Sequence, residues 1–341
     1  MEKKLYLPLS IIVPIYNVEE YIRPCMESIF RQNLDEKSFE VIIVNDGTQD
    51  HSMEVIQDII EQHKNITVLN QENLSLSVAR NNGIAMAKGK YILMPDSDDL
   101  LIENSLKPLL EKAIEYEADL VVADFLKMTN EVIDNLKTIQ QKEFIITEKT
   151  GEQLFLEDLN PYHCYVWRTL YRRSFLLEKK IKFYPGIKYQ DIPFTHECYL
   201  KAGRCLKANW LLNIYRKRPG ATTYSFNIEK AKDFSIAIGE TWKLIHLEGI
   251  STAVDDKIRR DMWESFSEML RLTLRYIKQD KDRVKVIDYI RENAHDLNFK
   301  NGRKQRITTL LLNNIPHAYI RLRYFYKFII KDRVLPFYHH R

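Results

Sequence analysis

Four cysteines among 341 residues are too few and too scattered for two kinds of protein. Cys25, Cys164, Cys198 and Cys205 have neither the paired spacing of a zinc site nor the density of a disulfide scaffold, so buried thiols in a reducing compartment are expected. Long apolar runs are missing too. No window reaches the roughly 18 consecutive apolar residues of a membrane span, so no spanning helix is expected. The N-terminal stretch carries Lys3 and Lys4 and arrives at Pro8 without a long apolar core, which argues against a signal peptide and for a cytoplasmic location. An excess of one charge is also lacking. A net charge of +4 gives no general reason to expect nucleic acid.

What is present is a globular composition, 45% hydrophobic and 29% charged, with length for one large domain or two smaller ones. Apolar runs of strand length alternate with stretches of helical periodicity. Strands are expected at Leu9 to Tyr16, Phe39 to Val44, Ile66 to Leu69, Tyr91 to Met94 and Leu120 to Ala123. Helical patterns fill Asn17 to Gln32, Asp50 to His63, Asn73 to Lys88 and Asn104 to Tyr116. Nearly continuous apolar strands separated by helices predict a parallel α/β sheet covered on both faces. In such folds ligands bind beyond the carboxyl ends of the strands.

Chemistry-bearing residues collect at those ends. Tyr16 follows the first strand and Asp46 the second, while Asp96-Ser-Asp-Asp99 follows the fourth. Three carboxylates within four residues repel one another unless a cation or hydrogen-bonding ligand lies between them. Oxygen-only ligands suit Mg2+ or Mn2+ bridging phosphate oxygens. Taken singly, each feature also has a plain explanation: Tyr16 as a rim aromatic, Asp46 as a turn-former before Gly47, and the acidic run as a solvated helix cap.

Four stretches in order carry a family resemblance: Ser10-Ile-Ile-Val-Pro-Ile-Tyr-Asn17, Val41-Ile-Ile-Val-Asn-Asp-Gly-Thr48, Ala79-Arg-Asn-Asn-Gly83 and Asp96-Ser-Asp-Asp99. They resemble the successive motifs of the inverting family 2 glycosyltransferases, whose catalytic domain has the GT-A fold. The resemblance implies a nucleotide site in which Pro14, Tyr16 and Asp46 hold the uracil of a UDP-sugar, Asp96 lies near the ribose, and Asp98 binds Mg2+ or Mn2+. Arg80 either positions the donor pocket or ties its helix to a loop. One departure stands out. Where the family has Asn-x-Gly-x-Ser, this chain has Asn73-Leu-Ser-Leu-Ser77, without the glycine.

Further along, Asp124 to Gly151 is polar and weakly patterned, with room for two short strands. The aromatic stretch Tyr162, His163, Tyr165 and Trp167 suits either a sugar site or ordinary core packing. Gln190-Asp191 resembles the family's second acidic motif, a Glu-Asp pair opening a helix. Asp191 then takes the place of the catalytic base, with Trp167 and Gln190 on the acceptor side. His196 is expected to be structural. The segment Leu212 to Thr223 resembles the strand and Arg-x-x-Ser motif that close the catalytic domain, so Arg216 and Arg218 either meet the donor diphosphate or belong to a surface turn at Pro219-Gly220.

The expected architecture is therefore an α/β GT-A domain over 1–225, a helical subdomain over 226–300, and a basic, aromatic tail over 301–341. That tail, with Tyr319, Tyr324, Phe325, Tyr326, Phe328, Phe337 and Tyr338 among lysines and arginines, suits an anionic membrane surface on the inner face of the cell membrane. The acceptor is expected to be a lipid-linked or growing glycan of lipopolysaccharide, capsule or exopolysaccharide. The second half is also similar to lipopolysaccharide core transferases, including a glucuronic acid transferase. Three other classes are weighed: a nucleotidyltransferase, which needs a glycine-rich basic loop that Val13 to Asn17 does not supply; a non-catalytic nucleotide-sugar binding module, which needs no base at Asp191; and a basic nucleic-acid-binding protein, which would use the tail alone and ignore the acidic rim.

Overall fold

The computed structural model describes residues 7–135, 138–218, 225–294, 297–299 and 302–325. It comprises two compact units. The first is Met1–Gly186 with Phe194–Ala221, the second Ile187–Pro193 with Thr222–Arg341. The division differs from the expected one in two respects. Residues 187–193 group with the C-terminal part, and the described residues of the tail belong to the second unit instead of standing apart.

The first unit is built on one nine-stranded sheet. Its strands are β1 (Leu9–Ile15), β2 (Phe39–Asn45), β3 (Ile66–Asn70), β4 (Tyr91–Leu93), β5 (Leu100–Leu101), β6 (Leu120–Thr129), β7 (Ile146–Lys149), β8 (Thr169–Arg172) and β9 (Cys205–Lys217). Every residue of β1 is buried, as its nearly continuous apolar run requires for a strand flanked by β2 and β4. β3, β2, β1 and β4 are mutually parallel, with Leu9 opposite both Phe39 and Tyr91. Pro14 lies past Ile11↔Leu93, the last β1–β4 pair, where the missing N–H removes no bond to that neighbour. The helix Leu76–Met86 packs closely on β1, since a Cβ on Gly83 would lie 2.3 Å from Ile12 Cγ2.

Beyond β4 the sheet is mixed, which corrects the all-parallel expectation. β8 runs antiparallel to both β4 and β6, and β9 returns parallel to β6. β8 is four residues long just after the aromatic stretch, and β9 carries Lys207, Arg216 and Lys217 among apolar residues and asparagines, so neither reads as a buried parallel strand. Within the polar excursion β6 continues to Thr129, followed by the helix Asn130–Asp134 and the single strand β7.

Asp119, at the foot of β6, ties these elements together. Its buried carboxylate pairs with the Arg172 guanidinium and accepts from the N–H of Gly203 (2.8 Å) and Arg204 (3.1 Å). Taking a carboxylate from water costs free energy unless hydrogen-bond donors replace the water, as they do here.

The second unit is helical, with helices Ile228–Trp242, Thr252–Tyr276, Asp280–Asn293, Arg303–Asn314 and Pro316–Phe325. Phe234, Ile238 and Trp242, and Met262, Phe266, Met269, Leu270, Leu274 and Ile277, recur at helical spacing and are buried, while Ile245 and Leu272 in the same series are half-buried. Gly239 lets two helices touch, as a Cβ there would lie 2.0 Å from the Asn293 carbonyl oxygen. Tyr189 stacks on Phe234 at 4.3 Å within this unit. None of the described helices is long and apolar enough to cross a membrane.

Candidate active site

Because β1, β2 and β4 are adjacent and parallel, Tyr16, Asp46 and Asp96 leave the sheet along one rim. Tyr16 is exposed, at 40%. The loops behind it are locked by side-chain caps. Asn17 N–H donates to Thr48 Oγ1 (2.8 Å), Val18 N–H to Ser52 Oγ (2.9 Å) and Glu19 N–H to Asp50 Oδ2 (3.0 Å). Asp50 also accepts from the Ser52 and Thr48 hydroxyls, and these bonds outweigh burial to hold its carboxyl at about 2.

Asp46 is buried and already in use. Oδ1 accepts from Gln71 Nε2 (2.7 Å) and Leu74 N–H (2.9 Å), and Oδ2 from Ser75 N–H (3.2 Å). Asn82 donates in turn to Gln71 Oε1 (2.7 Å). A carboxylate has about four acceptor positions, so Asp46 retains room for one further donor. Gly47, at φ +68°, allows the two loops to touch, since a Cβ there would lie 2.9 Å from Asn73 N. The glycine missing from the second loop leaves a trace. Ser75, at its position, has φ 98° and ψ 155°, a region that is almost exclusively glycine's.

The acidic run forms a compact cluster in which one ligand oxygen each from Asp96, Asp98 and Asp99 lies within 4.8 Å of the others. Asp96 pairs with the Arg80 guanidinium, which is 2% exposed and 5.3 Å from the Phe183 ring centroid. Arg80 thus ties its helix to the acidic loop and sits at the cluster at once. Asp98 Oδ2 accepts from Arg218 Nε (2.8 Å), while its main-chain carbonyl accepts from Arg216 Nε (2.9 Å). Asp99 Oδ1 accepts from Arg216 N–H (2.8 Å), and its Oδ2 is buried without a hydrogen-bond partner among the described residues. Burial, followed by the charges of Asp96 and Asp98, pushes the Asp99 carboxyl up to about 9. Asp96 is raised too, chiefly by burial against the opposing pull of Arg80. An all-oxygen donor set with an unpartnered buried carboxylate oxygen fits a hard divalent ion such as Mg2+ or Mn2+, whose charge reverses those shifts.

Arg216 and Arg218 both lie over the Tyr21 ring, at 5.2 and 4.8 Å, and Arg216 Nη1 also donates to Asn130 Oδ1 (2.9 Å). Neither arginine stands on a free turn, and Pro219-Gly220 lies outside the described residues. Tyr21, Gln71 and Asn130 escaped sequence reading. Tyr21 occupies an apolar helical position and Asn130 lies inside a polar, weakly patterned stretch, so neither carries a signal of its own.

Trp167 is buried, its ring stacked parallel to Tyr165 at 4.8 Å and Tyr215 at 5.8 Å. Gln190 and Asp191 belong to the second unit. Asp191 is half-buried as the first residue of the helix Asp191–Lys201. Gln190 is buried, and its Oε1 has no hydrogen-bond partner among the described residues. His196 is fully buried, edge-on to Phe155 at 5.7 Å, as a structural residue would be.

Residues 10–178 match the family described as Glycosyl transferase family 2, and the chain belongs to that family. It is 36% identical over 220 residues to the uncharacterized glycosyltransferase EpsJ of Bacillus subtilis, covering 64% of this chain and 63% of that one. It is 27% identical over 307 residues to glycosyltransferase GlyG of Streptococcus pneumoniae, covering 86% of this chain and 98% of the other. EpsJ is thus spanned for somewhat under two thirds of its length. Among solved structures, residues 1–349 of Staphylococcus aureus TarS in complex with UDP superpose with a TM-score of 0.70 at 20% identity, covering 94% of this chain and 91% of that one. At that identity the likeness establishes the GT-A fold.

Proposed function

We propose that the protein is an inverting glycosyltransferase that moves a sugar from a UDP-sugar to a hydroxyl of a growing surface glycan. The acidic cluster at Asp96 to Asp99 carries this reading, because it fits a divalent ion of the kind that accompanies a nucleotide diphosphate. A UDP complex of TarS, which shares the fold, supports the choice of nucleotide.

In the proposed reaction the acceptor oxygen attacks the anomeric carbon from the side opposite the leaving group. Its proton passes to a carboxylate, and the bond from the anomeric carbon to the phosphate oxygen breaks with the electron pair leaving on UDP. Asp191 takes the proton, a role supported by its match to the family's acidic motif and by its place at a helix N-terminus, which favours the charged carboxylate. Asp98 holds a Mg2+ or Mn2+ ion, which when bound stabilises charge on the departing diphosphate. Arg216 and Arg218 steady Asp98 and supply positive charge beside it. Tyr16, with Pro14 behind it, stacks on the base, and Asp46 accepts from the base edge while Asp96 and Arg80 line the ribose side. Trp167 and Gln190 serve the acceptor side.

The C-terminal helices support a membrane contact. Arg303–Asn314 and Pro316–Phe325 expose Ile307, Leu310, Ile315, Leu322 and Phe325, interspersed with exposed Arg303, Lys304, Arg306 and Arg321. Apolar side chains among cations suit an anionic lipid surface, where a lipid-linked acceptor would reside. The part of the tail from Tyr326 onward lies outside the described residues.

Calorimetric titration of UDP tests the site. Binding strengthens when Mn2+ is added, Asp98→Ala removes that gain, and Asp191→Asn retains binding but stops turnover. Full turnover by Asp191→Asn would overturn the assignment of the base.

A further inference from the structure

The aromatic stretch folds into a surface that the donor site does not use. Phe125 and Lys127 project from one face of β6, and Tyr215 is the cross-strand partner of Lys127 on β9. His163, Tyr165 and Trp167 come from alternate positions of the segment leading into β8. His163 stacks on Tyr165 at 5.4 Å and Tyr165 on Trp167 at 4.8 Å, while Phe125 meets Tyr165 edge-on at 5.3 Å. Trp167 is the hidden layer of this stack. The outer layer is Tyr165, His163 and Lys127, none of them fully buried.

Lys127 is the unusual member. Its ammonium lies 5.4 Å from the ring centroid of Tyr165 and 5.6 Å from that of Phe125. Among the described residues its hydrogen-bond neighbours are Tyr165 Oη at 3.3 Å and His163 Nε2 at 3.4 Å, neither of them a carboxylate. Asp124, three residues back on the same strand, is engaged by Lys207 at 2.5 Å and Arg168 at 3.6 Å. Among the described residues no carboxylate pairs with Lys127 or with Lys217, two strand positions from its partner Tyr215. Burial and the charge of Lys217 hold the Lys127 ammonium below its ordinary range, as expected of a cation lacking an anion.

We propose that this lysine-capped aromatic stack is a subsite for an anionic glycan acceptor, with Lys127 meeting a phosphate or uronate oxyanion and the Tyr165 layer meeting the carbon face of the neighbouring sugar or polyol. Both ligands share an oxyanion on a polyhydroxylated chain. The proposal rests on the glycosyltransferase reading. The Lys127↔Tyr215 pair is one position back from Met128↔Arg216, and Arg216 N–H bonds to Asp99. Successive residues of a strand face opposite sides. The subsite therefore grips units of the acceptor beyond the one that reacts, and it sets acceptor choice without touching the donor.

The test measures binding of three oligomers to the whole chain by calorimetry: a glycerol phosphate oligomer, an oligogalacturonate and neutral maltohexaose. At least one anionic oligomer is expected to bind tenfold or more tightly than maltohexaose. Lys127→Gln weakens it at least tenfold, and Lys127→Arg restores most of the loss. The order between the two anionic oligomers identifies phosphate or carboxylate as the partner. UDP binding by Lys127→Gln, measured in parallel, stays at the wild-type value and shows that the variant is folded. Binding of no oligomer, equal binding of the neutral one, or undiminished binding by Lys127→Gln would overturn the subsite. Absence of UDP binding by the wild type would instead overturn the glycosyltransferase reading.

Discussion

Ser75 stands at the glycine position of the Asn-x-Gly-x-Ser motif that this loop resembles, and its backbone bears the consequence. At φ 98° and ψ 155° a residue with a Cβ carries strain of about 1 to 3 kcal/mol. Replacing it with glycine removes that strain. Against the gain stand about 0.5 to 1 kcal/mol for the freer unfolded chain and roughly 0.5 kcal/mol for the long hydrogen bond from Gly186 N–H to Ser75 Oγ, 3.3 Å and exposed. The balance is a net stabilisation of about 1 kcal/mol, or about 2 to 4 °C in the melting temperature of a unit of this size. Ser75→Ala keeps the strain and loses the hydrogen bond, so it melts below wild type by about 1 to 2 °C. Differential scanning calorimetry should therefore rank Ser75→Gly above wild type and wild type above Ser75→Ala. The Asp46 bonds to Leu74 and Ser75 N–H are main-chain bonds and survive both changes, so UDP affinity should hold. A Ser75→Gly variant that melts below wild type would refute the strain and with it the structural account of this loop.

Three further outcomes follow from named contacts. Arg218 and a divalent ion draw on the same Asp98 carboxylate. Arg218→Gln should therefore tighten Mn2+ binding without nucleotide by about fivefold, a pair of this exposure being worth up to about 1 kcal/mol, and should weaken UDP binding once Mn2+ is present. Manganese electron paramagnetic resonance reads the first effect, and unchanged Mn2+ affinity would argue against the competition. Asp119→Ala leaves Arg172 and two main-chain N–H groups without their shared partner, and denaturant unfolding should show a loss of about 3 to 5 kcal/mol. A loss under 1 kcal/mol would mean that water replaces the carboxylate there. The double variant Leu310→Asp/Leu322→Asp should abolish flotation with anionic liposomes while leaving UDP binding intact. Undiminished flotation would exclude these helices as the membrane face.

How much of this was legible beforehand depended on the kind of signal. β1, β2 and β4 were readable because strands buried on both faces are nearly continuous apolar runs, and the half-exposed edge strand β3 was readable as a short β-branched run. β8 and the first half of β9 were not. Their letters mix aromatics and cations, and no periodicity separates them from loop. The acidic cluster was visible as letters. Its counter-ion Arg218, however, lies 120 positions further on, a pairing that needs the sheet to bring β9 beside β5. Asp46 illustrates the opposite limit. Its place at a strand end was evident, but its engagement by Gln71, Leu74 and Ser75 depends on two loops meeting over Gly47.

The central claim is that the cluster at Asp96 to Asp99 binds a metal for a UDP-sugar, and release of UDP from a panel of UDP-sugars tests it most directly. With Mn2+ present, the wild type should release UDP from at least one of them, and both EDTA and Asp98→Ala should reduce that rate to background. Release that persists undiminished in EDTA and in Asp98→Ala, or no release from any UDP-sugar, would contradict the account.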